Sequence, residues 1–371
     1  MNFDFSDDQK SLKDEARKFL AAKCPPSVVR ALLANPAPGF DRALWDAIAE
    51  QGWLGAAIPE AFGGLGLGYL ELCCIAEELG RAVAPVPFAS TVYFLAEALL
   101  LAGSDEQKRA LLPKIVAGQV IGAFATSERP GPVGEAGIEA VVSGGKLTGS
   151  KLPVTDGGIA DVAVVLAREA GQLSLFLVDL NGQGVSRTTL DALDNSRNLA
   201  RIDFADAPAE SLGAAGAGLT LYEQITERAA IVLAFEQLGG ADMVLEMAKA
   251  YVLERYAFGR QIGSYQAIKH RLADMYTKNV LARGNAYYGA WALNSDTPET
   301  ALAAAQARIA ASEAYWYGAK ENVQVHGGMG FTWVLDCHLH YRRSQQLALV
   351  AGAPRQWKER LVSRLERNNV A

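Results

Sequence analysis

The run Arg255-Tyr256-Ala257-Phe258-Gly259-Arg260-Gln261-Ile262, followed by Gln266 and Asp274, holds residue types that suit a phosphorylated, planar ligand. Arg255 and Arg260 offer fixed forks of donors that match a pyrophosphate. Phe258 can lie against a flat ring, and Gln266 can bond to an adenine or ribose edge. The same residues also read as an Arg/Asp pair clamping a helix turn, and spacing alone leaves both readings open. Gly63 to Gly68 reads GGLGLG, but a helical pattern rather than a strand precedes it and no strand-helix-strand unit surrounds it, which argues against a dinucleotide loop. His326-Gly327-Gly328 suggests an oxyanion hole, yet the chain has no GxSxG to supply a nucleophile. His338 and His340 stand two apart, on different faces of a helix, so no metal site is expected from them.

The elements that must carry these residues can be read from periodicity. From Phe5 to about Leu112 apolar residues recur at three and four, as in Leu12, Ala16, Phe19 and Leu20, which predicts helices. Breaks are expected at PAPG (Pro36 to Gly39) and at the run from Phe62 to Gly68, and Asp105 with Gln107 and Lys108 suggests a polar helix start. Between about Gly118 and Gly216 the pattern changes to some six short β-rich runs punctuated by glycine, expected to form a small barrel or sandwich. Helical period then returns near 219–256, 264–295, 298–325 and 336–366, which implies an antiparallel four-helix bundle. The fold class read from pattern is α+β, mostly α, with domains over 1–117 (helical), 118–217 (β) and 218–371 (helical bundle).

Composition narrows the function. At 371 residues the chain exceeds one hydrophobic core, and 50% hydrophobic with 20% charged residues describes a packed protein. A net charge of −6 leaves no basic excess for a phosphate backbone, so nucleic acid is not expected as a partner. The four cysteines, Cys24, Cys73, Cys74 and Cys337, show neither disulfide-framework nor zinc spacing. No apolar run approaches the roughly 20 residues a bilayer needs, and the acidic start lacks the form of a secretory leader. A cytoplasmic location is the expectation.

Four ordered strings carry a resemblance. Arg255 to Met275 reads RYAFGRQIGSYQAIKHRLADM; ahead of it come Ile58-Pro59-Glu60-Ala61-Phe62-Gly63-Gly64-Leu65-Gly66 with Glu77-Glu78-Leu79-Gly80, then Leu147-Thr148-Gly149-Ser150-Lys151 leading to Thr155; after it comes Gln324-Val325-His326-Gly327-Gly328-Met329-Gly330-Phe331-Thr332. Together these resemble the acyl-CoA dehydrogenase family over nearly the whole chain. The resemblance implies a helical, β, helical architecture, flavin adenine dinucleotide (FAD) as cofactor, and a homo- or hetero-tetramer built as a dimer of dimers. It implies that Arg255, Phe258 and Gln266 bind the pyrophosphate and adenosine of a flavin lodged mainly in the neighbouring subunit, with Gln324, Gly327 and Gly328 completing that pocket. Ser127, within Phe124-Ala125-Thr126-Ser127-Glu128, and Thr155 match positions at the flavin ring. The implied chemistry is α,β-desaturation of an acyl-CoA thioester, with an electron-transfer flavoprotein or similar acceptor taking the electrons. A carboxylate base in a dry pocket and donors on the thioester carbonyl are its physical requirements.

The sequence departs from the family on the thioester side. The family's usual glutamate counts to Ala351, and its alternative site on the long helix counts to Ala229. Glu236, seven residues beyond Ala229, returns to the same helix face about 10 Å along, and its apolar neighbours Leu233, Ala234, Phe235 and Leu238 predict a buried carboxylate. It is the candidate base; a bundle glutamate paired with a basic residue is the competing reading, and Glu227 is expected to face elsewhere. Gly131-Pro132-Val133-Gly134 replaces a Gly-Ser-Asp, and Pro153 replaces a tryptophan that often packs on the ring. Two classes of function result: an active dehydrogenase with an atypical base acting on a bulky, branched or steroid-derived thioester, or a non-catalytic subunit completing a partner's flavin pocket. CoA is anionic, so a local basic patch is expected, with Arg129, Arg343 and Arg355 as candidates.

Overall fold

The computed structural model describes residues 5–37 and 39–369; Pro38, within the expected PAPG break, lies outside the described residues. The first third is helical: α1 (Asp7–Lys23), α2 (Pro26–Ala34), α3 (Arg42–Glu50), α4 (Tyr69–Arg81), a π-helical stretch Ala89–Ala96, α5 (Glu97–Ala102) and α6 (Asp105–Val116). Local chemistry sets the ends. Ser6 and Ser104 each form a capping box, with Gln9 and Gln107, and the latter is the polar helix start expected from sequence. The GGLGLG run is a turn packed closely on its own chain, where a Cβ at Gly64 would lie 2.0 Å from the Ile58 carbonyl oxygen.

Eight strands come next, instead of six: β1 (Gly122–Ala125), β2 (Val141–Ser143), β3 (Lys146–Thr155), β4 (Val162–Glu169), β5 (Gln172–Asp179), β6 (Val185–Thr189), β7 (Leu199–Pro208) and β8 (Glu210–Leu212). They form one mixed sheet in the order β6-β7-β3-β2-β4-β5-β8, with β1 paired to β4. Both β1 and β2 run parallel to β4, with Ala125 opposite Val165 and Val141 opposite Arg168. The two strands therefore share one edge of β4, and the sheet is interrupted at Leu166 and Ala167.

The C-terminal helices are α7 (Gly218–Glu254), α8 (Gln266–Asn294), α9 (Thr300–Val325), α10 (Cys337–Leu349) and α11 (Pro354–Asn369), with a two-stranded ribbon of β9 (Tyr256–Ala257) and β10 (Arg260–Gln261) between α7 and α8. The helix predicted near 336–366 is two helices, because Ala351 and Gly352 adopt φ of 65° and 103° and Pro354 can only start a new helix.

In space the chain makes two compact units. One gathers the chain up to Val29, Tyr69–Ala84 and everything from Ala230; the other holds Arg30–Gly68 and Pro85–Ala229. The first is built on close helix packing, since Gly80 of α4 faces the Glu236 carbonyl of α7 while Gly239 of α7 faces the Glu77 carbonyl of α4. Glu77 is buried against Lys13 (2.7 Å) and Arg283 (2.8 Å), and Glu78 takes a two-pronged contact from Arg17 at 3.0 and 2.8 Å. Burial raises the Glu77 pKa, but the two cations outweigh it and the net direction is downward.

Candidate functional site

The Arg255 to Gln266 stretch is an exposed arm. Arg255 keeps the last helical bond of α7, its N–H donating to Tyr251 O at 2.9 Å, and its carbonyl accepts from Ile262 N at 2.8 Å. Between β9 and β10 both turn residues, Phe258 and Gly259, have positive φ (53° and 79°), the geometry of a two-residue hairpin turn that matches strand twist. Phe258 is thereby held out at 97% exposure. Arg260 lies 4.0 Å over the Tyr265 ring, and the Tyr265 hydroxyl donates to Ala257 O at 3.0 Å, which stiffens the arm. Arg255 and Gln266 are exposed. α8 starts at Gln266 with no side chain capping it, so its first N–H groups have no side-chain acceptor. Asp274 does not clamp an arginine; it accepts from the Tyr317 hydroxyl at 3.4 Å.

The second loop lies beside the root of that arm. His326 stacks on Tyr251 at 4.1 Å, one turn before Arg255, and its Nδ1 meets the Asn322 carbonyl at 2.8 Å. Burial lowers the pKa of this imidazole. The stacking anchors the loop around it: Gln324 is exposed in the last turn of α9, and Gly327 and Gly328 are exposed with nothing within 4 Å of where a Cβ would stand. The structure thus brings the Gln324–Gly328 loop to the arm, and among the described residues nothing lies within 4 Å of where a Cβ would stand at Gly259, Gly327 or Gly328.

In the β unit, Leu152 N donates to Ser127 O at 2.9 Å, which brings the Ser127 segment against β3 three residues before Thr155. Thr155 is half-buried, and its hydroxyl has no hydrogen-bond partner among the described residues. The Ser127 hydroxyl donates to the Arg129 carbonyl at 3.0 Å. Pro153 is exposed and coincides with a register shift between Lys151 and Val154, as expected of a residue that lacks an N–H. Phe124 stacks between Phe94 (5.1 Å) and Tyr222 (6.0 Å).

Ala351 occupies the corner between α10 and α11, and Ala229 is buried. Glu236 is 2% exposed, so its predicted burial is met; Glu227 is buried as well. Sequence reasoning allowed for a basic neighbour of Glu236 but did not identify it. Arg308 of α9 is 1% exposed, donates to Gln237 Oε1 and to the carbonyls of Leu347 and Val350, and interacts electrostatically with Glu236. Burial pulls the guanidinium pKa down and Glu236 opposes that. The missed signal was an arginine inside the alanine-rich run AAAQARIAAS, where only a core position explains the neighbours. Of the expected CoA patch, Arg129 and Arg355 are exposed, whereas Arg343 is buried and donates to Ala84 O at 3.2 Å, which removes it from that role. Among the described residues no His, Cys, Asp or Glu cluster could hold a metal.

These residues fit FAD. An exposed guanidinium, an uncapped helix start and open glycines match the diphosphate and adenosine, and a half-buried hydroxyl without a partner at Thr155 matches a polar ring edge. A helical and β fold with an open arm of this make-up is what a flavin-dependent oxidoreductase would require. Comparison with known proteins makes the class specific: residues 6–119 match the acyl-CoA dehydrogenase N-terminal domain and residues 216–360 the acyl-CoA dehydrogenase C-terminal domain. Acyl-CoA dehydrogenase IpdE2 of Mycobacterium tuberculosis is 33% identical over 360 residues, 96% of this chain and 97% of that protein. Butyryl-CoA dehydrogenase from Megasphaera elsdenii superposes with a TM-score of 0.90 at 25% identity, covering 98% of this chain and 100% of that one. The ChsE4-ChsE5 complex from Mycobacterium tuberculosis gives 0.89 at 27% identity, with 99% of both chains covered. The chain belongs to the acyl-CoA dehydrogenase family, oxidoreductases that act on CH–CH bonds with FAD as cofactor. Among the described residues no helix is long and apolar enough to cross a membrane.

Proposed function

We propose that this chain catalyses the flavin-dependent α,β-dehydrogenation of an acyl-CoA thioester whose acyl group is bulky, branched or steroid-derived. The observation that carries the reading is the open arm: Arg255, Phe258 and Gln266 exposed beside Gln324, Gly327 and Gly328, with Gly259, Gly327 and Gly328 unfilled. Arg255, Phe258 and Gln266, with the Gln324–Gly328 loop, reach the diphosphate and adenosine of a flavin lodged mainly in a neighbouring subunit, and Ser127 and Thr155 meet the ring of the flavin that this chain itself houses. FAD, when bound, supplies the acceptor for the hydride that leaves the β carbon. Glu236 takes the proton from the α carbon, its burial excluding the water that would otherwise compete. Exposed Arg129 and Arg355 are available to the phosphates of CoA. A solved relative described as the Tcur3481-Tcur3483 steroid ACAD (29% identity, TM-score 0.88, 98% of this chain and 99% of that one) supports the acyl class. The same reading assigns a cytoplasmic homotetramer, an electron-transfer flavoprotein as acceptor, and domains over 1–117, 118–217 and 218–371.

A second reading is favoured by two observations: alanine stands at position 351, and Glu236 already neighbours the buried Arg308. In that reading the chain is a non-catalytic subunit completing the flavin pocket of a partner that carries the base. A visible spectrum of the chain purified alone separates the two. Stoichiometric flavin bleached by acyl-CoA is the result expected of the enzyme. A colourless protein that gains flavin only with a second chain supports the subunit.

A further inference from the structure

The sheet is interrupted where β1 and β2 share one edge of β4, and the interruption is spanned by two charged side chains that the proposed chemistry does not use. β4 pairs with β1 as far as Val165 and with β2 from Arg168, which leaves the Leu166 carbonyl facing the break. Lys151 of β3 points into it. Its ammonium is fully buried and donates to that carbonyl and to Glu128 Oε1 (2.6 Å). Glu128, 11% exposed at its side chain, accepts in turn from Glu139 N at 2.7 Å and Ala140 N at 3.1 Å. One ion pair therefore answers a carbonyl on β4 and two amides leading into β2.

We infer that Lys151 and Glu128 are positioning residues for the flavin ring, holding Ser127 and Thr155 in a fixed relation across the sheet break. The inference deepens the proposed function and rests on it for the identity of the bound ring. The connectivity is direct: Glu128 is next to Ser127, Leu152 is next to Lys151 and donates to Ser127 O at 2.9 Å, and Thr155 ends the same strand four residues on. A lone lysine cannot replace the pair, because a buried ammonium without its carboxylate is strongly disfavoured and a buried carboxylate without its ammonium equally so.

Two variants test this: Lys151→Met, which removes the charge, and Glu128→Gln, which keeps one acceptor oxygen and the side-chain shape and is the variant expected to fold if the first does not. In flavin-free protein, amide hydrogen exchange at Glu139, Ala140 and Leu152 is expected to speed at least tenfold in either variant, with amides of α8 unchanged. In flavin-loaded protein either variant is expected to shift the visible absorption bands and the reduction potential of the bound flavin, which a loss of global stability alone does not move. Unchanged exchange at those three amides overturns the tie across the break. Faster exchange with an unaltered flavin spectrum and potential overturns the positioning role. If the parent chain binds no flavin in any assembly the proposed function fails, and the exchange arm still decides whether the pair holds the segment.

Discussion

Glu236 and Arg308 occupy one buried corner of the C-terminal helices, and their opposite charges set what each substitution does. Glu236→Gln keeps the shape but cannot accept a proton, so flavin reduction by acyl-CoA is expected to slow about a hundredfold or more while flavin content holds. Rapid-mixing absorbance reads both, and an unchanged rate removes Glu236 as the base. Arg308→Met leaves the carbonyls of Leu347 and Val350 without this donor and Glu236 without this cation. Removing a buried guanidinium that answers Gln237 and two carbonyls is expected to cost about 3 kcal/mol or more, to be read by urea denaturation, and the Glu236→Gln/Arg308→Met double variant is expected to depart from the sum of the singles if the two charges are coupled. At this scale the sequence was legible where an apolar neighbourhood spoke for the residue, as with the burial of Glu236. It was opaque for Arg308 and Lys151, because the type of a charged residue does not name the carbonyls it will answer once buried.

Helix packing between α4 and α7 turns on two glycines that no periodicity marks. A Cβ at Gly239 would lie 1.7 Å from the Glu77 carbonyl oxygen, and one at Gly80 equally close to that of Glu236. On an open helix Gly→Ala stabilises by about 0.5–1 kcal/mol, but overpacking costs about 1–3 kcal/mol or more, so the clash wins. Gly239→Ala is therefore expected to lower the denaturation midpoint, whereas Gly284→Ala on α8, where nothing lies within 4 Å, is expected to raise it. Equal effects of the two substitutions would show that the close approach does not govern the packing. The Glu77-Glu78-Leu79-Gly80 string gains a physical meaning here: two paired carboxylates and the glycine that lets a neighbouring backbone in. Element existence was readable from the helical and strand periods. The break at Val350 to Ala353 was signalled by Gly352 and Pro354 but masked by apolar residues that continue on either side; of the two strands beyond the six runs, β8 spans only three residues and β6, VSRTT, has a single apolar residue and so no alternation to read.

At the scale of the molecule the order helical, β, helical runs along the chain, but the compact units do not keep that order, since α1 and α4 join the C-terminal helices in one of them. Sequence periodicity reports which residues are apolar on one face and not which distant element covers that face. Burial also gives the whole fold an acid limit that composition hides. His340 is 5% exposed, its Nδ1 lies 3.0 Å from the Tyr315 hydroxyl, and burial, then Arg343 and Arg81, push its pKa down to about 3 from an ordinary 6.5. The unfolded chain takes up this proton at about pH 6.5 and the folded chain does not, so between pH 6.5 and about 3 the unfolded state binds more protons and stability falls as pH falls. The slope from one such group is about 1.4 kcal/mol per pH unit. His326, also lowered, adds to the upper part of that window, while the lowered carboxylates Glu77 and Glu128 begin to contribute only below their ordinary 4.5. The stretch from about pH 6.5 to 5 therefore belongs to the buried imidazoles. Denaturation midpoints measured through that stretch are expected to fall in the parent, and to fall less steeply by one proton's worth in His340→Gln, which keeps an acceptor for Tyr315. An equal slope in the two proteins would mean that His340 is protonated inside the folded chain, and that its burial among Arg81 and Arg343 is not what limits the fold in acid.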